Sequence, residues 1–475
     1  MINDRNIPLL CDYYEYTMSN GYVESGLQDR IVYFDIYFRN VPDKGGFCIF
    51  AGLEQLVDYI THLRFTDSDI EFLRSKNTFS EKFLQYLKDF RFTGDVWAIP
   101  EGTPVFPGEP LVTIRAPIAQ AQILETFSLL TINHQTLIAT KASRIVRAAE
   151  GRVVLEFGSR RAQGTDAAIL GARAAYIAGC NGTACTVSDK WFGIPASGTM
   201  AHSWVMMFDS EYEAFVKFCE LYPDNATLLV DTYDTLSSGI PNAIKAFKST
   251  GIKKCAIRLD SGDLSFLTKK ARELLDDAGL KDCRIIVSNA LDENIIEDLL
   301  KQGAVVDGFG VGDNLITSHK DPVLNGVFKL VATEHDGTIV PRIKISENVE
   351  KITTPHFKKI YRIYDEYGMA MADLLCVHDE TLDMSRPLEL FDPSATWKKK
   401  TVTKYTAKEL MVKVIENGEL VYKLPSLPDI REHCAKELGT LWDEVKRFSN
   451  PHHYYVDLSQ RLFDIKTDLI NNNRR

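Results

Sequence analysis

The middle of the chain repeats a pattern of short apolar runs, rich in β-branched residues, that end abruptly in polar residues or glycine. Between them lie segments whose apolar residues recur every three or four positions and which stop at a glycine, as at Gly279 and Gly303. This alternation predicts parallel strands joined by helices, closed into a barrel or opened as a sheet. The strand-like runs are RVVLEFG from Arg152, TLLVDTYD from Thr227, CAIRLDSGD from Cys255, RIIVSNALD from Arg284 and VVDGFGVGD from Val305.

Polar side chains follow these runs at the point where each strand should end. In βα barrels the active site gathers at the carboxyl ends of the strands. Asp and Asn at such positions are also ordinary helix N-caps. Their repetition over successive strands favours a shared site over separate caps. The residues concerned are Arg160, Arg161, Asp231, Asp260, Asp263, Asn289 and Asp313.

The two ends of the chain have a different pattern. DRIVYFDIYFRNVP alternates like a half-buried strand, and GDVWAIPEGTPVFPGEPLVTIRAP sets short strands between Pro and Gly, which predicts a small antiparallel sheet with few helices. A long helical stretch from Ala119 bridges to the barrel. Beyond 345 we expect short strands, a hairpin at Asn417–Gly418 and a helix in DIREHCAKELGTLWDEVKRF. The predicted domains are an N-terminal α/β sandwich with the bridging helix (1–145), an irregular catalytic α/β barrel (146–345) and a C-terminal region (346–475).

Composition narrows the function classes. The 475 residues carry a net charge of −10, whereas a general nucleic-acid-binding protein is usually basic. Nine scattered cysteines, with no CxxC and no zinc-finger spacing, are typical of reduced buried thiols. The N-terminus has no signal-peptide pattern, and no apolar run is long enough to cross a bilayer. We therefore expect a soluble, cytoplasmic protein that binds neither nucleic acid nor membrane.

Three segments carry groups suited to phosphate. GFGVGDN, with Gly310 and Gly312 just past a predicted strand, lets backbone amides approach an anion, although such glycines also serve tight turns. The adjacent Arg160 and Arg161 suit a diphosphate or a carboxylate, or form surface salt bridges. RLDSGD sets Arg258 close to Asp260, a mixture that suits a ribose phosphate with its magnesium ion.

Two further segments contain candidate ligand-binding side chains. In PASGTMAHSW, His202 follows a run of small residues that includes Thr199, which leaves room for a ligand beside the imidazole. Near the start, LLCDYYEYTMSNGY clusters tyrosines, among them Tyr14, which pack amphipathically or stack on flat ligands. The sequence shows no serine or cysteine triad and no HExxH metal site.

Taken together, these segments resemble the bacterial nicotinate phosphoribosyltransferases from about residue 7 to residue 466. The resemblance is carried by several segments in one order. They are LLCDYYEYTM, FRNVPDKGGFCIFAGLE, EGTPVFPGEPL, ETFSLLTINHQTLIATKASR, EFGSRRAQGTDAA, PASGTMAHSW, LVDTYDT, IRLDSGD, GFGVGDNLITS and NPHHYYVDLS.

The resemblance implies the irregular α/β barrel of type II phosphoribosyltransferases, joined to a smaller α/β sandwich, in a homodimer with sites at the interface. It implies that nicotinate and phosphoribosyl diphosphate are joined to give nicotinate mononucleotide and diphosphate, a step of NAD salvage. Mg²⁺ is the expected cofactor and ATP a co-substrate. Family members couple the reaction to ATP hydrolysis through a phosphohistidine, and His202 stands at that position.

The family's roles transfer to this chain residue by residue. Magnesium, Arg160 and Arg258 would neutralise the diphosphate leaving group. Asp231 and Asp260 would orient ribose and metal, with Asp260 as the residue that binds the metal. The substrate-binding set implied by the resemblance is Phe157 with Tyr14 of the partner subunit around the pyridine ring, Gly310 and Gly312 at the 5′-phosphate, and Arg161 and Thr199.

The sequence departs from the family pattern at two positions, Ala184 and His356. Three rival functions are a nicotinamide phosphoribosyltransferase, a phosphosugar lyase or isomerase, and a non-catalytic regulatory homologue. Ala184 in NGTACT stands where related nicotinamide enzymes carry an aspartate for the amide, which favours the acid substrate over nicotinamide. His356 stands where glycine is expected.

A phosphosugar lyase or isomerase on a barrel would explain GFGVGD but not His202 or the paired arginines. A non-catalytic regulatory homologue would not need Arg160, His202, Asp231, Arg258 and Asp260 together.

Overall fold

A computed structural model describes residues 7–472 of the chain. The chain forms two compact units. The first combines Met1–Leu137 with Val323–Arg475, and the second is Ile138–Pro322. The residues predicted as one barrel domain, 146–345, are therefore divided between the units. Those beyond Pro322 belong to the first, because the strand Gly326–His335 pairs with Ile31–Phe38 in one antiparallel sheet.

The strands form antiparallel sheets and one mixed sheet in the first unit and one parallel sheet in the second. In chain order they are β1 (Ile31–Phe38), β2 (Cys48–Ile49), β3 (Asp95–Ala98), β4 (Pro104–Val105), β5 (Val112–Pro117), β6 (Val153–Glu156), β7 (Gly182–Thr183), β8 (Ala226–Leu229), β9 (Cys255–Leu259), β10 (Arg284–Ser288), β11 (Gly308–Val311), β12 (Gly326–His335), β13 (Thr338–Pro341), β14 (Lys358–Tyr364), β15 (Ala370–Val377), β16 (Leu388–Phe391), β17 (Lys399–Val402), β18 (Thr406–Glu409), β19 (Val412–Glu416), β20 (Glu419–Leu420) and β21 (Tyr455–Leu458).

The helices occur along the whole described chain. They are α1 (Tyr13–Glu24), α2 (Leu53–His62), α3 (Asp67–Ser75), α4 (Glu81–Lys88), α5 (Ile118–Gln122), α6 (Glu125–Ala148), α7 (Thr165–Ile177), α8 (Thr186–Phe192), α9 (His202–Met206), α10 (Glu211–Leu221), α11 (Ile240–Thr250), α12 (Leu264–Asp277), α13 (Glu293–Lys301), α14 (Asp313–Ile316), α15 (Leu427–Gly439) and α16 (Gln460–Asn472). None of the described helices is long and apolar enough to cross a membrane.

The first unit is built on a seven-stranded sheet of order β13-β12-β1-β5-β3-β19-β20. Its central strand β1 was predicted to be half-buried, and this prediction is wrong, because both of its faces are covered. Val32 and Phe34 lie in the main hydrophobic core, whereas Tyr33 on the opposite face contacts the Phe357 ring at 5.1 Å between centroids. On that same face Asp35 is buried and forms an ion pair with the Lys358 ammonium at 2.7 Å.

The expectation of few helices in the N-terminal region is wrong. Helices α2, α3 and α4 lie between β2 and β3, and their apolar faces belong to the main core. The sequence contains start signals for α3 and α4. Thr66 forms a capping box with Asp69, and the Ser80 hydroxyl accepts from the backbone amide of Phe83 at 3.2 Å.

The C-terminal part of the first unit follows the predicted pattern with one difference. The predicted hairpin is confirmed: β19 and β20 are joined at Asn417 and Gly418, both with positive φ. The helix predicted up to Phe448 ends at Gly439, and turns follow it.

The backbone conformation at His356 explains why glycine was expected at this position. Its φ is +78°, in the left-handed region that favours glycine. Its backbone amide donates to the Val331 carbonyl at 2.8 Å, and its Nδ1 lies 3.2 Å from the Phe357 carbonyl oxygen. Burial lowers the pKa of this imidazole, so a neutral ring occupies the glycine-like position.

The second unit contains the predicted strand–helix repeat. Six parallel strands in the order β7-β6-β11-β10-β9-β8 form a curled sheet, an irregular half-barrel. Helices α12 and α13 confirm two of the predicted helical segments, and the glycines expected to stop them, Gly279 and Gly303, have φ of +79° and +78°. The strands carry the core: all four residues of β8 are buried.

Candidate active site

The carboxyl ends of the central strands meet along one edge of the curled sheet. Leu229 of β8 pairs with Arg258 of β9, and Leu259 pairs with Val287 of β10. Val311 of β11 pairs in turn with Glu156 of β6. Side chains that follow these strands are therefore neighbours.

Two carboxylates stand at the centre of this edge. Oδ2 of Asp231 accepts from the backbone amide of Asp260 at 2.9 Å and from the Ser261 hydroxyl at 2.6 Å. Oδ1 of Asp231 is buried and has no hydrogen-bond partner within residues 7–472. Oδ1 of Asp260 accepts from the Ser288 hydroxyl. Because an unpaired buried carboxylate oxygen is costly, Asp231 is prepared for a ligand hydroxyl or a cation.

Arg258, one residue before the end of β9, links the carboxylates to the His202 segment. Its Nη1 donates to the Thr199 hydroxyl at 2.8 Å and to the Met200 carbonyl at 3.3 Å. Its Nη2 lies 3.4 Å from Oδ1 of Asp260, and its buried Nε has no partner. The guanidinium is thus held in place with a donor left for an anion.

His202 begins helix α9 and is half-buried. Its Nδ1 lies 3.1 Å from the Thr232 hydroxyl, one residue after Asp231, which leaves Nε2 without that contact. The preceding segment is open, since a Cβ built on Gly198 would meet no atom within 4 Å. The segment before His202 is therefore uncrowded at Gly198, as its run of small residues predicts.

Phe157 follows β6 and lies over β11. A Cβ built on Gly310 would come within 2.5 Å of the Phe157 ring, at Cδ2, and 3.4 Å of the Ser288 Cβ. Gly310 is inside β11, so its predicted place just past the strand is wrong; only Gly312 follows the strand. The strand is longer because it pairs with β6 as far as Val311. Gly310 provides the space for the Phe157 ring.

The two arginines lie between β6 and helix α7. They form a short turn, Ser159–Arg161, and both side chains are exposed. Gly164, with φ of +115°, then leads into α7. Cationic side chains directly before the N-terminus of a 13-residue helix create a positive field at this edge.

A buried carboxyl fixes the turn that presents Phe157. Glu156, the last residue of β6, is buried; it accepts from the backbone amide of Gly158 and, at 2.6 Å, from the Thr183 hydroxyl of β7. Burial raises the pKa of the Glu156 carboxyl. Ala184 follows β7, is exposed and donates from its backbone to the Glu156 carbonyl at 2.8 Å.

Three of the polar residues predicted at strand ends serve the local backbone. Asp263 caps α12 by accepting from the Phe266 amide at 3.0 Å, and Asp313 is the first residue of α14. Asn289 has a φ of +95° in the turn after β10. Asp263 therefore caps a helix, Asn289 lies in a turn and Asp313 lies in the first turn of α14. Of the other residues predicted at strand ends, Asp231 and Asp260 are joined by a hydrogen bond, and the common site of the whole set stays a prediction.

Sequence reasoning missed the hydroxyl groups that hold the carboxylates and the histidine. Thr232, Ser261 and Ser288 each donate to or contact a predicted site residue. Each lies at or just beyond a strand's carboxyl end, as the charged residues do. Their position at the strand ends could have identified them as site residues. Serine and threonine are common in such loops, so their residue type alone does not indicate a site.

Tyr14 lies in the other unit, on helix α1, and 44% of its side chain is exposed. Burial, with a contribution from Glu125, raises the pKa of its phenol, so the hydroxyl is protonated at neutral pH. The role inferred for it by resemblance, in a partner's site, stays a prediction.

The carboxylates fit a magnesium ion that arrives with a phosphorylated substrate. Within residues 7–472 no three His, Cys, Asp or Glu side chains gather as a metal cage. Magnesium usually binds to one or two carboxylates together with substrate phosphates and water. The unpaired Oδ1 of Asp231 beside Asp260 matches that requirement.

Comparison with known proteins covers almost the whole chain. The models for the N-terminal domain, the family and the C-terminal domain of nicotinate phosphoribosyltransferase match residues 9–133, 153–371 and 357–466. Nicotinate phosphoribosyltransferase of Bacillus subtilis is 43% identical over 98% of this chain and 96% of its own length. Nicotinate phosphoribosyltransferase pncB2 of Mycobacterium tuberculosis is 40% identical over 96% of this chain and 92% of its own length.

The fold agrees with the sequence comparison. The crystal structure of human nicotinic acid phosphoribosyltransferase superimposes with a TM-score of 0.86 at 28% identity, over 96% of this chain and 99% of the human one. The predicted fold, an irregular α/β barrel of type II phosphoribosyltransferases, is thereby confirmed. The chain belongs to the nicotinate phosphoribosyltransferase family, a family of phosphoribosyl-transferring enzymes.

Proposed function

We propose that this protein joins nicotinate to phosphoribosyl diphosphate, giving nicotinate mononucleotide and diphosphate, as a cytoplasmic step of pyridine-nucleotide salvage toward NAD. The observation that carries the proposal is the hydrogen-bonded set of Asp231, Asp260, Arg258 and Thr199 at the carboxyl edge of the sheet. It combines groups for a ribose, a metal and a diphosphate in a member of this family.

The reaction demands charge stabilisation more than proton transfer. The ring nitrogen of nicotinate has a free lone pair, so it bonds to the ribose C1 without a general base, while the bond from C1 to the diphosphate breaks. Arg160 and Arg258 neutralise the leaving diphosphate, and Asp231 and Asp260 orient the ribose. Magnesium, when bound at Asp260 and Asp231, supplies further positive charge to the diphosphate oxygens.

Aromatic and backbone groups position the two substrates. Phe157, supported by Gly310, offers one face to the pyridine ring, and Tyr14 of the partner subunit offers the other in a homodimer. Arg161 and the Thr199 hydroxyl bind substrate oxygens. The backbone beside Gly310 and Gly312 receives the 5′-phosphate.

His202 couples the reaction to ATP. In the tautomer that donates from Nδ1 to the Thr232 hydroxyl, Nε2 carries the lone pair that attacks the γ-phosphorus; the bond to the bridging oxygen breaks and ADP leaves. Water later cleaves the N–P bond and releases phosphate. Incubation with γ-labelled ATP should give an acid-labile, base-stable label on wild type and none on His202→Ala; equal labelling of both would remove His202 from this role.

The substrate is tested by product analysis. The enzyme is incubated with phosphoribosyl diphosphate and either nicotinate, nicotinamide or quinolinate, each with and without ATP. We expect nicotinate mononucleotide as the main product and little product from the other two pyridines, because Ala184 offers no carboxylate to an amide. Comparable specificity constants for nicotinate and nicotinamide would contradict the proposal.

A further inference from the structure

The first unit contains a cavity of about 430 Å³ that the proposed reaction does not use. Its wall is formed by β15, the hairpin β16–β17, β21 and the segment that follows α15. Apolar side chains from these strands, including Met371, Leu390 and Phe391, form its floor. The volume is within the range of small-molecule sites, and its lining combines an apolar floor with a few polar groups, as such sites do.

One carboxyl in this cavity has no hydrogen-bond or ion-pair partner among residues 7–472. Asp457 of β21 is only 4% exposed and lines the cavity, and its side chain makes no hydrogen bond or ion pair with any described residue. Burial, together with the nearby Asp392, raises the pKa of the Asp457 carboxyl to about 7. Because Asp457 lines the cavity, a ligand N–H there can supply the hydrogen-bond donor that the described residues do not provide.

Three rings stand at the same cavity. Trp442 and His452 lie with their ring centroids 6.0 Å apart, and His452 lies 5.7 Å from Tyr455. His452 and Tyr455 are exposed, whereas Trp442 is half-buried. Such rings stack on a flat heteroaromatic group, a contact that contributes about 1–3 kcal/mol per base in nucleic-acid complexes.

Lysines complete the lining with positive charge. Lys399 forms an ion pair with Glu389 at 2.7 Å, and Lys398 lies 3.6 Å from Asp392. Lys400 lines the cavity and has no ion-pair partner among the described residues. It lies opposite Leu390 in the β16–β17 ladder, on the side of the hairpin that carries the floor. A phosphate group would supply the partner that Lys400 lacks.

We propose that this cavity is a second ligand site, separate in its residues from the active site, which binds a nucleotide whose base carries an exocyclic amino group. The base stacks on the Trp442 indole with its edge toward the tilted His452 ring, its amino group donates to Asp457, and its phosphate contacts Lys400. A nucleotide supplies a ring, an N–H donor and an anion in one molecule, which are the three groups that the lining is suited to bind. Nicotinate mononucleotide, with a carboxylate in place of the amine, is disfavoured by Asp457.

The test is calorimetric titration of the full-length protein with AMP as the probe, and with UMP, adenosine, inorganic phosphate and nicotinate mononucleotide for comparison. AMP should bind to wild type, and Lys400→Gln and Asp457→Asn should each weaken binding about tenfold, the loss of one hydrogen bond to a charged group. Lys254→Gln, an exposed lysine of the other unit, is the matched control.

An active-site variant separates this site from the proposed reaction. Arg258→Ala should keep AMP binding at the wild-type affinity, whatever happens to its turnover. AMP binding that is lost in Arg258→Ala but unchanged in Lys400→Gln would place the nucleotide in the active site and overturn the proposal. Absence of AMP binding, or equal binding of UMP, adenosine alone or phosphate alone, would also overturn it. Lys400 is an exposed strand residue, so its variant remains informative if Asp457→Asn misfolds.

Discussion

Asp231 shows how a single residue can be fixed by the protein and still be available to a ligand. One of its oxygens accepts from the Asp260 amide and the Ser261 hydroxyl, while the other has no partner. Arg258 combines the same two properties. Its Nη1 donates a hydrogen bond to the Thr199 hydroxyl, whereas its buried Nε has no partner among the described residues. Groups held in advance lose little freedom when the substrate binds, which is the condition for electrostatic catalysis.

Arg258→Ala should lower kcat/KM for nicotinate mononucleotide formation by about a hundredfold, the usual effect of losing one preorganised electrostatic contact. Steady-state kinetics with both substrates measures it. Arg284→Ala is the control, because Arg284 is exposed at the opposite, amino end of the adjacent strand. An Arg258 variant within twofold of wild type would show that this guanidinium does not act on the reaction.

Ala184→Asp should weaken the use of nicotinate, because a carboxylate at this exposed position after β7 repels the substrate's carboxylate. The measurement is the ratio of the specificity constants for nicotinate and nicotinamide. Ala184→Asn has nearly the same size without the charge and should change the ratio far less. If both variants shift the ratio equally, charge at this position does not set the substrate preference.

Among the elements, hydrophobic periodicity predicted the strands β6 and β8 to β11 and the helices α12 and α13, because each has a clear period and a stop signal. Helices α2 to α4 were missed. Thr66 and Ser80 are start signals for α3 and α4, but α2 follows Gly52 without a side-chain cap, and the region was interpreted from its Pro- and Gly-rich strands. The burial of both faces of β1 was not predictable locally. It depends on Phe357 and Lys358, more than 300 residues away.

The close approach of β6 and β11 leads to a prediction about Gly310. A methyl group there would lie within 2.5 Å of the Phe157 ring, so Gly310→Ala should displace the ring and raise KM for nicotinate more than for phosphoribosyl diphosphate. Gly439→Ala adds the same methyl group where no atom lies within 4 Å, and should leave both constants unchanged. An unaltered KM for nicotinate in Gly310→Ala would argue against Phe157 as the ring's support.

At the scale of the whole molecule, the sequence indicated a shared site because charged residues recur at successive strand ends. The structure brings Arg258, Asp231 and Asp260 together, and Thr232 ties His202 to the segment after β8. The division of the chain into two compact units was not predicted correctly. Residues beyond Pro322 return to the first unit through the β1–β12 pairing, and a contact of such sequence separation leaves no local signal.

We propose that one site transfers the phosphoribosyl group to nicotinate and couples this transfer to ATP through His202. The most direct measurement is the rate of nicotinate mononucleotide formation with and without ATP, in wild type, His202→Ala and His62→Ala, the last being an exposed histidine of the other unit. ATP should raise the rate in wild type and His62→Ala, while His202→Ala should fold, retain a slow ATP-independent rate and gain nothing from ATP. Undiminished ATP stimulation in His202→Ala, or no nicotinate mononucleotide from wild type under any condition, would contradict the account.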